Sequence, residues 1–160
     1  MQKYTWLALA ASLAGFAQAP ATDRVGFPEG YQNWKIVYQL DRSDNKQVRT
    51  IYANDTAASV KDGQQANYPY GSVLVLETVN ALRDAAGNAV LDERGRYRKD
   101  PAATVTINTM RKEKGFGEAY GALRNGEWEY VGYTPAKTFA TAPQNSMNCA
   151  NCHLQAGQGK

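Results

Sequence analysis

The chain is poorest in the residues that bind metals and make crosslinks. Its 160 residues include two cysteines, one histidine and three methionines. Two cysteines exclude a disulfide-rich scaffold. Three classical soft ligands, two thiols and one imidazole, cannot close a structural zinc tetrahedron without help from Asp or Glu. Long hydrophobic runs are missing too: the most apolar stretch, Tyr4 to Phe16, falls short of the roughly 20 residues a spanning helix needs, and no stop-transfer charge cluster follows it. Nor does one sign of charge dominate. Eighteen bases against 15 acids give a formal net charge of +3, about +2 without Lys3, and the two signs are interspersed. That distribution excludes a nucleic-acid footprint. Internal repeats and low-complexity linkers are absent.

What is present begins with a short cationic start at Lys3, the apolar run, and then small residues, the layout of a secretory signal. The obvious cut is after "AQA", but Pro20 would sit directly behind it, so cleavage after Ala21 or Ala17 stands equally beside it. We take residues 1–21 as the signal peptide and 22–160 as one domain, exported to the periplasm. With 43% hydrophobic and 11% aromatic residues, that domain can bury a core.

Both cysteines and the histidine lie within "CANCH", Cys149 to His153. An exported pair of cysteines first brings a disulfide to mind, and Cys-x-x-Cys a redox-active dithiol on a thioredoxin-like strand and helix. Neither accounts for a histidine directly behind the second cysteine. Cys-x-x-Cys-His is the attachment signature of a c-type haem. On one helical turn Cys149 and Cys152 reach the two vinyl groups of the porphyrin, and His153 is carried beneath the ring as the proximal ligand to iron. One covalently attached haem c uses all three residues.

Only "LQAGQGK" follows the motif, so a sixth iron ligand must come from upstream. Met147 stands two residue steps from Cys149, about 7 Å of chain, too short a path to the opposite face of the ring. Met110, a lysine amine, or an open position remain. An open position implies gas binding or chemistry rather than simple electron transfer.

A C-terminal motif with open iron also fits a four-helix bundle, which needs long 3.6-period stretches. This chain has short β-branched and aromatic runs between turns: residues 34–40, 48–53, 72–82, 103–110 and 127–134. The expected fold is therefore mainly β (α+β), an antiparallel sheet with one or two short helices and a C-terminal haem-attachment helix. A helix is expected in "ANDTAASVKDG", capped by Asn54 or Asp55 and stopped at Gly63. Turns are expected at "DRSDNK" and "RNGE", and "NAVLDERGRYRK" reads as a small inserted hairpin or a solvated loop. Alternation places Val73, Val75, Glu77 and Val79 on one face and Leu74, Leu76 and Thr78 on the other, with the protein core covering one face and haem, a partner subunit or a helix the other. It also gives Met110 polar neighbours, Thr104, Thr106 and Asn108, as at a pocket rim.

"GYQNWKIVYQLDRSDNKQVRTIYANDTAASVKDG", "YPYGSVLVLE", "GFGEAYGALRNGEWEYVGYTP" and "CANCH", in that order, resemble the cytochrome P-460 and cytochrome c-prime-beta family over nearly the whole mature chain. The resemblance implies a mostly antiparallel β fold, usually a homodimer, with one haem c and an open distal face. Members of that family either oxidise hydroxylamine, using a lysine crosslinked to the porphyrin, or bind small gases such as nitric oxide. The crosslinking lysine lies five residues beyond the glycine of a Tyr-Pro-x-Gly turn. Counting from Gly71 lands on Leu76, which has no amine. Phe116 stands where many relatives have tryptophan, a packing change.

The reading that follows is a mono-haem protein with His153 on iron and an aliphatic distal pocket including Leu74 or Leu76, binding nitric oxide or carbon monoxide. The alternatives are an enzyme oxidising hydroxylamine or a related small nitrogen compound, with acid-base help from Glu77 or Glu118, and an electron-transfer cytochrome with a periplasmic redox partner, using Met110 or a lysine as sixth ligand. For Glu77, alternation away from Leu76 makes a salt-bridge or solvent role the simpler expectation. No nucleic acid, and no membrane after signal cleavage, is expected as a partner.

Overall fold

A computed structural model describes residues 18–61, 63 and 68–158. Most of the expected signal peptide lies outside the described residues. Six strands, β1 (Lys35–Arg42), β2 (Gln47–Ala53), β3 (Val73–Asn80), β4 (Thr106–Lys112), β5 (Trp128–Tyr133) and β6 (Phe139–Thr141), form one sheet in the order β1-β2-β3-β4-β5-β6. Every neighbour is antiparallel. With a four-residue helix α1 (Asp55–Ala58), a few 3-10 turns and the helix α2 (Met147–Gln158), the fold is the mainly β arrangement expected. No helix among the described residues is long and apolar enough to cross a membrane.

Register sorts the side chains into two faces, because directly opposed residues on antiparallel strands point the same way. One face carries Val48 and Val79, then Thr50, Glu77, Ile107 and Tyr133, then Tyr52, Val75, Thr109 and Val131. The N-terminal segment covers it: Val25 and Tyr31, with Phe27 and Trp34, pack on Tyr52, Val75, Ile107, Val131 and Tyr133. Polar anchors hold that segment down. The Tyr133 hydroxyl donates to Asp23 at 2.6 Å, Asp23 accepts the N–H groups of Val25 and Gly26, and Arg24 pairs with the buried Glu129. Phe116 is buried under the Arg24 guanidinium, 4.5 Å from the ring centre, a packing role as expected.

Glu77 belongs to this covered face. It is 7% exposed and accepts hydrogen bonds from the Tyr31 hydroxyl at 2.6 Å and the Lys99 ammonium at 2.5 Å. Burial, then this carboxylate, raises the pKa of Tyr31 and keeps the phenol a donor. Glu77 thus has the salt-bridge role and not the solvent one.

Between β3 and β4 the inserted segment is ordered by bridges Ala81↔Lys99, Arg83↔Ala89 and Leu91↔Tyr97. It holds two turns of one design: Asp84 accepts the N–H groups of Ala86 and Asn88, and Asp92 those of Arg94 and Arg96. Asp41 of β1 ties the segment to the sheet through Arg96 Nε and the Tyr97 N–H, each at 2.9 Å.

The helix expected to run to Gly63 is corrected to α1. Asn54 caps it, its side chain accepting the Ala57 N–H at 3.0 Å, but the same oxygen accepts from Val73 N–H and its amide donates to the Gly71 carbonyl. The turn is a bracket between strands. It stops at Ser59, whose hydroxyl bonds back to the Thr56 carbonyl.

Candidate functional site

The second face of the sheet runs in rows from crowded to open. Lys112 opposes Trp128; then Leu74, Met110 and Tyr130 align; then Ile51, Leu76, Asn108 and Gly132; then Arg49, Thr78 and Thr106. Helix α2 covers only the first two of these rows. Ala150, fully buried, and Met147 and Cys149 pack with Tyr120, Trp128, Tyr130, Leu74, Met110 and Leu123. Beyond them Ile51, Leu76, Asn108, Thr78 and Thr106 are all half-buried, an apolar-to-polar floor that no helix or strand among the described residues closes.

The start of α2 is fixed by Ser146, fully buried, whose hydroxyl donates to the Pro143 carbonyl at 2.6 Å and meets the Tyr120 hydroxyl at 2.8 Å. Its carbonyl accepts the N–H groups of Cys149 and Ala150. From that start the 3.6-residue period puts Cys149, Cys152 and His153 on one side of the helix, at i, i+3 and i+4. Cys149 is half-buried, Cys152 is exposed, and both are free thiols. His153 has one ring face stacked on Tyr130, with centroids 4.7 Å apart and planes at 23°, and keeps an exposed edge.

The electrostatics distinguish between the roles open to these residues. Burial, with the second cysteine adding to it, raises the Cys149 pKa, the reverse of the acidified thiol that a redox-active pair needs. Crowding by protein lowers that of His153, a shift toward the neutral imidazole, the form that binds a metal. No group of three or more His, Cys, Asp or Glu side chains suited to holding a metal ion by themselves occurs among the described residues. What they do offer is two adjacent thiols, a neutral imidazole and a half-covered apolar floor.

Two polar atoms on this face support the fit to a large planar group with polar substituents. Arg49 Nε is buried without a hydrogen-bond partner among the described residues, and the buried Tyr130 hydroxyl has the Asn125 side chain beside it. Burial raises the Tyr130 pKa, so it stays a phenol. The backbone is closely approached here. A methyl at Gly132 would stand 3.0 Å from Thr141 and 3.1 Å from the Asn108 oxygen, so the strands close up beneath the floor only because this position is glycine.

Leu74 and Leu76 both lie on this face, Leu74 against the helix cluster and Leu76 one row beyond it. Met110 is corrected: its partners across the strands are Leu74 and Tyr130, and its cluster includes Cys149, so it is a packing residue under α2 and not part of a polar rim. Alternation along β4 could not show this, because cross-strand neighbours decide it. Glu77 is on the opposite face and Glu118 is exposed in a 3-10 turn. Arg49 and Tyr130 were not singled out from sequence; pairing register alone brings them to the site.

A family model described as Cytochrome P460 matches residues 28–159. No curated protein matches the chain.

Proposed function

The chain belongs to the cytochrome P460 family and is a haem-binding cytochrome, and from that premise we propose a periplasmic mono-haem c protein that binds a small diatomic ligand, nitric oxide or carbon monoxide, at an open iron position. Cys149 and Cys152 carry the haem through two thioethers, and His153 is the proximal ligand. The observation that carries the reading is the placement of these three residues on one side of α2, at the edge of the half-covered rows containing Leu74, Leu76 and Ile51. The haem supplies an iron able to bind a diatomic molecule, and the protein supplies the apolar wall that excludes water from it.

The position of Met110 favours open iron. Its direct neighbour Tyr130 is the ring on which His153 already lies, so the thioether stands on the imidazole's side. Leu76 favours binding over hydroxylamine oxidation, since an aliphatic side chain cannot form the amine crosslink of catalytic relatives. Docking of the first described residues bears on export. Gln18 N–H donates to the Ala119 carbonyl at 2.9 Å and Ala19 and Pro20 are buried, which fits cleavage after Ala17 better than after Ala21.

The test is a haem-mass measurement with spectra. The mature chain should hold one haem mass that resists acidified organic solvent, and Cys149→Ser with Cys152→Ser should abolish that retention. Ferrous protein should take up carbon monoxide without displacing a protein ligand. Extractable pigment defeats the attachment, and a low-spin spectrum abolished by Met110→Ala makes the protein an electron carrier.

A further inference from the structure

Among the described residues, Arg49 is the one cation on the open rows of the haem face. It stands on β2 opposite Leu40 of β1 and Thr78 of β3, with Thr106 next across the sheet. The three rows from Tyr130 to Arg49 contain no carboxylate. The neighbouring row, at the strand ends, holds Arg42, Gln47 and Asn80, and Arg42 is already paired with Asp44. The Asp41–Arg96 pair belongs to the other face, since Asp41 opposes Val48. Arg49 is half-buried, with Nε fully enclosed and unpartnered. A guanidinium nitrogen held this way lacks the hydrogen bond that normally compensates burial.

The order of the rows says what it faces. His153 lies over Tyr130, Leu76 is one row further, and Arg49 one row beyond Leu76, each step about 7 Å along the strands. Were His153 to hold iron over the Leu76 row, Arg49 would lie on the side away from the imidazole. We propose that Arg49 is the anion-recognising residue of this site, its guanidinium pairing with small negatively charged ligands on the iron. The inference rests on the haem reading above and changes the character of the pocket: an aliphatic wall with a single cation discriminates by charge. A planar cation with its Nε donor unsatisfied suits a small anion such as nitrite or azide, whereas carbon monoxide has little use for it.

Azide is the probe, titrated spectrally into ferric haem-loaded protein, with carbon monoxide titrated into the ferrous form in parallel. Arg49→Leu should weaken azide binding by about 10- to 100-fold, the worth of a charge-assisted hydrogen bond, and leave carbon monoxide affinity within about threefold. Arg49→Lys keeps a cation without the fork and should lose several-fold for azide only; it also supplies the comparison should the leucine variant fail to accumulate. Unchanged azide affinity in both variants overturns the proposal, as does parallel weakening of azide and carbon monoxide, which would mark a packing role. A wild type without covalent haem, or one that binds neither probe, removes the haem reading and this inference with it. A wild type that binds both, with indifferent Arg49 variants, removes the inference alone.

Discussion

At the scale of residues, the two faces of β3 separate stability from the proposed ligand binding. Glu77 and Leu76 are adjacent in sequence, yet Glu77 is held by Tyr31 and Lys99 under the N-terminal segment while Leu76 looks toward α2's side of the sheet. Glu77→Gln should therefore cost about 1–3 kcal/mol, because it removes the charge from two short hydrogen bonds and leaves the Lys99 ammonium uncompensated. The checks are chemical denaturation of the holoprotein and carbon monoxide affinity. A lower midpoint with unchanged affinity is the expected pair; lost affinity at unchanged stability would return Glu77 to the binding site. This separation was legible in the sequence because a period of two needs no knowledge of the partner strands. Arg49 was not, since its importance depends on what pairs with it and on an enclosed nitrogen. The Cys149–His153 cluster was legible for the opposite reason: its geometry is contained in one helical turn.

At the scale of elements, most strands were readable from β-branched and aromatic runs, and the failures have local causes. Strand β6, Phe139–Thr141, is too short to show alternation. Helix α1 ends early because Asn54 is bound to Gly71 and Val73 as well as to its own helix. The contact of β6 with β5 on the site's floor, at Gly132, leaves no space for a Cβ. Gly132→Ala would force Thr141 or Asn108 to shift, costing about 1–3 kcal/mol, and thermal unfolding should fall by roughly 2–4 °C per kcal/mol. An unaltered melting temperature would show that β6 yields freely.

At the scale of the whole molecule, one margin of the sheet is unfinished. Strand β1 is an edge strand whose Ile36, Val37, Tyr38 and Leu40 are all exposed. Such an edge invites pairing with another strand, and a second copy of the chain is the partner we propose for it, making the homodimer common in relatives. Light scattering should give twice the chain mass for the wild type and a monomer for Ile36→Lys with Val37→Lys; a monomeric wild type excludes the pairing. The same sheet, in which each strand lies beside the one before it in the chain, has a consequence for assembly. As the polypeptide is delivered from its N-terminus, each strand arrives with its neighbour already present, and β6 completes the sheet before α2 has emerged. The thiols and imidazole of α2 follow all six strands in the chain, so the residues proposed to hold the haem meet a sheet whose floor is already built.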